Sequence, residues 1–176
     1  MKRKIMVVDD DAQVRQSLRK LLQAEGYDVV LAAEGPQALA LYEPKSIDLM
    51  LLDLNLPGTS GWDVFERVTS LNPLLPIVII TGRGQQLKLA GAAGVGALME
   101  KPLDIPMLLR TIADLLAEPP ERRLKRLAGV EHSTRFFAPL PAPSSDPSQS
   151  KTRTERGKSG GRQSEKSEWR DAAGGR

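Results

Sequence analysis

The stretch at residues 49–63, LMLLDLNLPGTSGWD, decides the fold of this 176-residue chain. It opens with four uninterrupted apolar residues, a run typical of a strand that is covered on both faces of a parallel sheet. Asp53 follows this run, and Val64, Phe65 and Val68 continue into the apolar stripe of a helix. The stretch therefore predicts a buried strand that ends in an acid and leads into a helix.

Apolar runs of this kind recur every ~20–25 residues and predict five strands, at residues 4–8, 29–32, 49–52, 77–80 and 97–99. Helical stripes alternate with them, with Asp11 and Asp104 as predicted N-caps and Gly26 as a C-terminal glycine. The alternation predicts an α/β fold, namely a five-stranded doubly wound parallel sheet in the order 2-1-3-4-5 with helices on both faces. Residues 84–97 contain four glycines, so the helix there is predicted to be short.

The composition limits the classes of chemistry that the chain can perform. It has no cysteine, which excludes disulfides, thiolate metal sites and a cysteine nucleophile, and its single histidine cannot form a histidine cluster. The apolar residues 5–8 after the basic start are too few for a signal peptide, and no 18-residue apolar window could cross a membrane. We therefore expect a cytoplasmic protein without a membrane segment.

The charge is divided unevenly along the chain. The chain has 25 basic and 22 acidic residues. Residues 118–176 contain 13 of the basic and 8 of the acidic residues, so residues 1–117 contain 25 − 13 = 12 basic and 22 − 8 = 14 acidic residues. The sequence predicts a folded domain at 1–117, a linker at 118–138 in which 121–128 can form a short basic helix, and a disordered basic tail at 139–176 that is rich in Pro, Ser and Gly. Mixed charges and the lack of a helix-turn-helix pattern argue against DNA binding by this tail.

Polar residues stand where the predicted strands end. Asp9 and Asp10 follow the first strand, Asp53 the third, Thr81 the fourth, and Lys101 lies just past the fifth. In an open parallel sheet such ends meet at the switch in strand order, so we expect these side chains to share a cleft. Carboxylates this close repel unless a cation joins them, and Mg²⁺ suits oxygen ligands that include a phosphate. With an ammonium and a hydroxyl at hand, the set is suited to phosphoryl transfer onto Asp53.

Four motifs in this order resemble the response-regulator receiver domain of two-component signalling: IMVVDDD at 5–11, LMLLDLNLPGTSGWD at 49–63, IVIITG at 77–82 and MEKPLD at 99–104. The resemblance covers residues 3–117. It implies that Asp53 accepts a phosphoryl group from a histidine kinase or phosphotransfer protein, and that the phospho-state alters contacts with a downstream protein. It also implies that the domain catalyses only its own phosphorylation and dephosphorylation and is not otherwise an enzyme.

The resemblance carries further expectations for individual residues. It implies that Mg²⁺ is bound by Asp10, Asp53 and the backbone carbonyl of Asn55, with Asp9 acting through water. It implies that Thr81 and Lys101 contact the phosphoryl oxygens. It also implies that the Lys101–Pro102 peptide bond is cis. Pro57 and Gly58 are expected to shape the loop beyond the acceptor, and Gly82 is expected to leave open space beside it.

Two departures from the family pattern concern how the signal leaves the site. Leu98 occupies a position that is usually aromatic, and it lacks a polar tip that could move between buried and exposed states. Thr81 and Lys101 are separated by 20 positions, fewer than is usual in the family. These departures leave open a receiver-shaped interaction module that works without phosphorylation. A phosphatase of the haloacid-dehalogenase type, which also forms an aspartyl-phosphate, would need an acid where this chain has Asn55.

Overall fold

The computed structural model describes residues 2–58, 60–82, 95–128 and 135–138. The strands are Lys4–Val8 (β1), Asp28–Ala32 (β2), Leu49–Asp53 (β3), Ile77–Thr81 (β4), Ala97–Glu100 (β5) and Arg135–Phe137 (β6). The helices are Ala12–Ala24 (α1), Gly35–Leu41 (α2), Gly61–Leu71 (α3), Ile105–Ala117 (α4) and Pro120–Leu127 (α5). In these ranges, no helix is long and apolar enough to cross a membrane. The helix predicted at 84–97 lies mostly outside the described residues, and the tail predicted at 139–176 lies wholly outside them.

The predicted sheet topology is confirmed. Strands β1 to β5 are parallel and follow the order β2-β1-β3-β4-β5, and each begins and ends within one residue of its predicted bounds. A sixth strand, β6, pairs in parallel with β5 at the edge of the sheet. The basic helix expected at 121–128 is present as α5. No sequence pattern predicts β6, because a strand of three residues is too short to show periodicity.

Aliphatic side chains fill the space on both faces of the sheet. Neighbouring residues of a strand point to opposite faces, so that Met50 and Leu51 of β3 belong to two different core clusters. Side chains of α2 and α3 complete the first cluster, and those of α1 and α4 complete the second. This double coverage explains the uninterrupted apolar strands. The buried polar residues on the described strands, Asp53 and Thr81, stand at strand ends.

The described helices α1 and α4 begin at the predicted capping residues. The Asp11 carboxylate accepts hydrogen bonds from the backbone N–H groups of Gln13 and Val14, at 2.7 and 3.3 Å, and so caps α1. Asp104 caps α4 in the same way. At the other end of α1, Gly26 has a φ of 85°, a conformation that glycine adopts without strain. The two aspartate caps fix the helix ends that flank the carboxyl edge of the sheet, and Gly26 ends α1 at the opposite edge.

Candidate functional site

Four side chains converge at the carboxyl edge of the sheet. Asp53 and Thr81 are the last residues of β3 and β4, and Asp9 and Lys101 directly follow β1 and β5. Because β1, β3, β4 and β5 are consecutive in the sheet, these residues meet at one edge. Asp9 and Asp53 are only 1% and 2% exposed, and Thr81 is fully buried. We call the cleft that they form with Asp10 the acid pocket.

The ammonium group of Lys101 joins the two buried carboxylates. Its Nζ lies 2.5 Å from Oδ2 of Asp53 and 2.8 Å from Oδ2 of Asp9. Burial acts to lower the pKa of Lys101, but the hydrogen bonds to Asp53 and Asp9 and their negative charges outweigh it and raise this pKa above its ordinary value. The lysine therefore carries its charge at neutral pH, where it can attract an anion.

Asp9 is held through its backbone as well as its side chain. Its Oδ1 accepts the backbone N–H of Asp11 at 2.9 Å, and its carbonyl oxygen accepts a hydrogen bond from the guanidinium of Arg15 at 2.6 Å. Burial raises the pKa of Asp9 above its ordinary value, although the hydrogen bonds from Lys101 and Asp11 act to lower it. Arg15 is absent from the predicted site. Its place one helical turn beyond Asp11 is the signal that points to it.

Both carboxylate oxygens of Asp53 have partners. Oδ2 pairs with Lys101, and Oδ1 accepts the backbone N–H of Asn55 at 2.8 Å. Gly61, the first residue of α3, lies against the backbone just beyond, where its N–H donates to the carbonyl oxygen of Leu54 at 3.2 Å. A Cβ at position 61 would lie 2.5 Å from the carbonyl oxygen of Asp53, so a residue without a side chain is needed there. Gly61 is also missing from the predicted site, and no local sequence signal indicates its contact with the backbone of β3.

Three carboxylates could hold a metal ion in the acid pocket. One oxygen from each of Asp9, Asp10 and Asp53 lies within 4.8 Å of the others, and Asp10 is exposed while the other two are buried. Three acids against the ammonium of Lys101 leave an excess of negative charge, which a divalent cation would offset. All three candidate ligands are carboxylate oxygens, and that of Asp10 faces solvent. Such a site fits Mg²⁺, which keeps several waters in its coordination shell.

The remaining predicted residues surround the pocket. Asn55 is exposed in the loop after β3, and Gly58, with a φ of 76°, makes a turn in the same loop. A Cβ at Gly82 would meet no atom within 4 Å, so open space follows β4 as expected, and the Lys101–Pro102 bond is cis. Leu98 is fully buried in the first core cluster, where it packs as an ordinary aliphatic side chain.

Comparison with known proteins identifies the family. A family model for the response regulator receiver domain matches residues 5–113, which contain every residue of the acid pocket. The chain belongs to this family. The resemblance inferred from the four motifs is thereby confirmed: this is a receiver domain of two-component signalling. Domains of this kind act as phosphoacceptors and are not enzymes in the usual sense.

Curated relatives of this receiver domain are themselves response regulators. The transcriptional regulatory protein CpxR of Klebsiella pneumoniae is 35% identical over 115 residues, which are 64% of this chain and 49% of that protein. The response regulator MprA of Mycobacterium bovis is 36% identical over 139 residues, which are 78% of this chain and 58% of that protein. The chain thus spans about half the length of the curated relatives it matches.

Solved structures agree with the receiver fold. A CheY-like receiver domain from Methanospirillum hungatei JF-1 has a TM-score of 0.64 and 31% identity, with 69% of this chain and 98% of that chain covered. The response regulator TrrA from Thermotoga maritima, solved in complex with Mg²⁺ and BeF, has a TM-score of 0.60 and 26% identity, with 64% of this chain and 98% of that chain covered. Both receivers are matched over almost their whole length.

Proposed function

We propose that Asp53 takes a phosphoryl group from a phosphohistidine of a histidine kinase or phosphotransfer protein, with Mg²⁺, and that the phospho-state changes contacts with a downstream protein. The observation that carries this proposal is the Lys101 ammonium, held between Asp53 and Asp9 in a pocket that Asp10 opens to solvent. A cation beside a buried carboxylate offsets the charge of an incoming phosphoryl group, which would otherwise repel the acceptor.

Asp53 supplies the nucleophile in this mechanism. One carboxylate oxygen forms the new bond to phosphorus while the bond between phosphorus and the histidine nitrogen breaks, and the imidazole takes up a proton. Hydrogen bonds from the N–H of Asn55 and from Lys101 orient the carboxylate before the phosphoryl donor arrives. Lys101 and the hydroxyl of Thr81 then contact the phosphoryl oxygens, so the pocket holds the product as well as the acceptor.

The metal would be held by the carboxylates of Asp10 and Asp53 and the backbone carbonyl of Asn55, with Asp9 acting through water. Held by these residues, Mg²⁺ would supply positive charge to offset that of the transferred group. Two observations support this assignment: the acid oxygens lie within 4.8 Å of one another, and the related TrrA receiver was solved with Mg²⁺ and BeF.

Incubation with acetyl phosphate and Mg²⁺ tests the proposal by intact mass. The wild type should gain one phosphoryl group, and Asp53→Asn should gain none. Asp28→Asn is the matched control, because Asp28 is an exposed acid at the start of β2, at the opposite end of its strand from the pocket edge. A wild-type protein whose mass does not change under these conditions would contradict the proposal.

A receiver-shaped interaction module that works without phosphorylation is the second candidate. Leu98 favours it, because this fully buried aliphatic side chain has no polar atom with which to report the state of the pocket. Titration with Mg²⁺ separates the two candidates through the fluorescence of Trp62, which adjoins Gly61 and hence the backbone of Asp53. Emission that stays constant up to roughly tens of millimolar Mg²⁺, far above the need of a functional site, would favour the module.

The output of the receiver is a separate proposal. One relative is named a transcriptional regulatory protein, but this chain covers only 49% of it, so DNA binding is not transferred from that name. The absence of DNA binding and a cytoplasmic location stay predictions from the sequence. We propose a protein partner, and the kinase can be identified by phosphotransfer profiling against the candidate kinases of the source cell.

A further inference from the structure

Strand β6 covers an edge of the sheet that would otherwise be open. The outer side of β5 pairs in parallel with β6, with Leu98 opposite Phe136 and Met99 opposite Phe137. An uncovered edge strand presents unpaired N–H and C=O groups and is a template for pairing with another chain. A segment of this chain therefore occupies a surface to which a foreign strand could add.

The helix that precedes β6 is firmly attached to the domain. The guanidinium of Arg123, on a side chain that is 13% exposed, donates hydrogen bonds to the carbonyl oxygens of Leu74 and Leu115 at 2.5 and 2.7 Å and pairs with Glu118 at 3.3 Å. Leu74 precedes β4 and Leu115 lies near the end of α4. One side chain thus ties α5 to the amino end of the sheet, away from the acid pocket.

Strand β6 itself makes fewer and more exposed contacts with the domain than α5 does. It has three residues, and Phe137 packs partly buried against the second core cluster. Arg135 pairs with Asp114 of α4 at 2.7 Å, but these side chains are 39% and 50% exposed. Exposed ion pairs contribute little, and short edge elements open at low free-energy cost. A firmly attached helix that carries a weakly held strand can release the strand and still keep it near the edge.

The covered strand leads directly to the phosphoacceptor. Glu100 ends β5, and Lys101 follows it, with its Nζ on Asp53 and its backbone N–H donating to the carbonyl oxygen of Thr81 at 2.9 Å. In this arrangement Lys101 contacts the bare carboxylate. A phosphoryl group on Asp53 would place new oxygens between the two side chains, so Lys101 must shift in order to stay paired. The observed pairing of β6 with β5 is therefore that of the unphosphorylated protein, in which Lys101 has not shifted.

We propose that α5 and β6 form a cis latch on the edge of β5, and that phosphorylation of Asp53 weakens the pairing of β6 and uncovers this edge. The inference rests on the proposed function of Asp53. Because coupling between two equilibria is reciprocal, loosening β6 should in turn stabilise the phosphorylated form.

Amide hydrogen exchange on the full chain tests the latch. With acetyl phosphate and Mg²⁺, the amides of β6 should exchange at least about tenfold faster than in the unmodified protein, while those of α5 keep their protection. Intact mass measured on the same samples reports phosphorylation separately. Equal or slower exchange at β6 in fully phosphorylated protein would overturn the latch and leave the proposed function standing, whereas protein that takes no phosphoryl group would overturn both.

Arg135→Ala provides a second test that leaves the acid pocket untouched. The ion pair with Asp114 is exposed and contributes only modestly, but β6 has few other contacts, so its loss should speed the exchange of β6 in the unmodified protein by about two- to fivefold and lengthen the lifetime of the phosphoryl group by a similar factor. Arg110→Ala is the matched control, since Arg110 is an exposed arginine on α4, and it should change neither quantity. An unchanged exchange rate or an unchanged phosphoryl lifetime in Arg135→Ala counts against the latch.

Discussion

Gly61 packs directly against the backbone of Asp53, so closely that a Cβ on residue 61 would lie 2.5 Å from the Asp53 carbonyl oxygen. The start of α3 therefore sets the position of the phosphoacceptor. Gly61→Ala must push α3 away from β3, and overpacking of this kind lowers the free energy of unfolding by about 1–3 kcal/mol. Phosphorylation by acetyl phosphate should slow as well, because the carboxylate moves with its backbone.

Gly82→Ala is the control for the stability measurement, since a Cβ there would meet no atom within 4 Å. In chemical denaturation, the midpoint of Gly61→Ala should lie well below that of the wild type, and the midpoint of Gly82→Ala should lie close to it. Equal midpoints for the two variants would contradict the close packing.

Lys101 neutralises the two buried acids, Asp53 and Asp9. Lys101→Gln removes that charge, so we expect the rate of phosphorylation to fall by about 100-fold or more, the loss typical of removing an electrostatic donor from a reacting oxygen. Lys20→Gln, an exposed lysine on α1, should react at the wild-type rate. The measurement is the time course of the mass shift, and a wild-type rate in Lys101→Gln would show that the ammonium has no part in transfer.

Asp10 and Asp11 are neighbours with different predicted roles. Asp10→Asn removes a charge from the acid pocket and should raise the Mg²⁺ concentration for half-maximal phosphorylation by about tenfold or more, which corresponds to ~1.4 kcal/mol of lost attraction. Asp11 caps α1, and asparagine caps equally well, so Asp11→Asn should leave the Mg²⁺ requirement unchanged. An equal shift in both variants would assign the effect to the net charge of the loop instead of to a metal ligand.

Asp48 links β1 to the loop before β3, because its carboxylate accepts hydrogen bonds from Arg3 at 2.7 Å and from the N–H of Lys4 at 2.8 Å. Burial acts to raise the pKa of Asp48, but these hydrogen bonds and the positive charges outweigh it and hold this pKa below the ordinary value of 3.8. A depressed pKa contributes stability that is present above the ordinary value and is lost as the pH falls through the folded value.

Asp48→Asn should therefore lower the free energy of unfolding by about 1 kcal/mol at neutral pH. This difference in the free energy of unfolding between variant and wild type should disappear in strong acid, because the carboxylate of Asp48 is then protonated in the wild type as well. Urea unfolding at several pH values measures this gap, with Asp28→Asn as the exposed control. A gap that does not vary with pH would point to packing and not to charge.

Arg123 ties α5 to two other segments of the domain, the loop before β4 and the end of α4. Arg123→Ala leaves the carbonyl oxygens of Leu74 and Leu115 without this donor, and we expect the free energy of unfolding to fall by about 2–3 kcal/mol. Lys125→Ala, an exposed position on the same helix, should change it by less than about 0.5 kcal/mol. Identical denaturation midpoints for Arg123→Ala and the wild type would show that the hydrogen bonds of Arg123 add nothing to the stability of the domain.

The positions of Asp53, Thr81 and Lys101 could be predicted because they depend on local signals, and the sheet order because strand-helix alternation leaves few topologies. A strand buried on both faces is an uninterrupted apolar run, and the first polar residue marks its carboxyl end. Asp53 and Thr81 proved to be the last residues of β3 and β4. The convergence of the site followed from strand order alone.

Gly61 and β6 could not be predicted in the same way, and for Arg15 only a place near the pocket could be inferred, because their contacts depend on distances between segments. Nothing in the neighbours of Gly61 states that α3 begins against the backbone of β3. The hydrogen bond from Arg15 to the Asp9 carbonyl depends on how α1 leaves the pocket. Pairing of β6 with β5 brings together residues almost 40 positions apart, such as Ala97 and Arg135. Contacts of this kind emerge only once the chain has folded.

The pairing of β6 with β5 also determines which peptide groups a shortened receiver would expose. A fragment that stops at residue 117 would retain the acid pocket, yet it would expose a bare row of peptide groups along β5. Such a fragment should bind Mg²⁺ when dilute and self-associate as its concentration rises, because bare edges add to one another. A fragment that extends to residue 138 keeps this edge covered, and a fluorescent reporter should therefore be fused beyond that point.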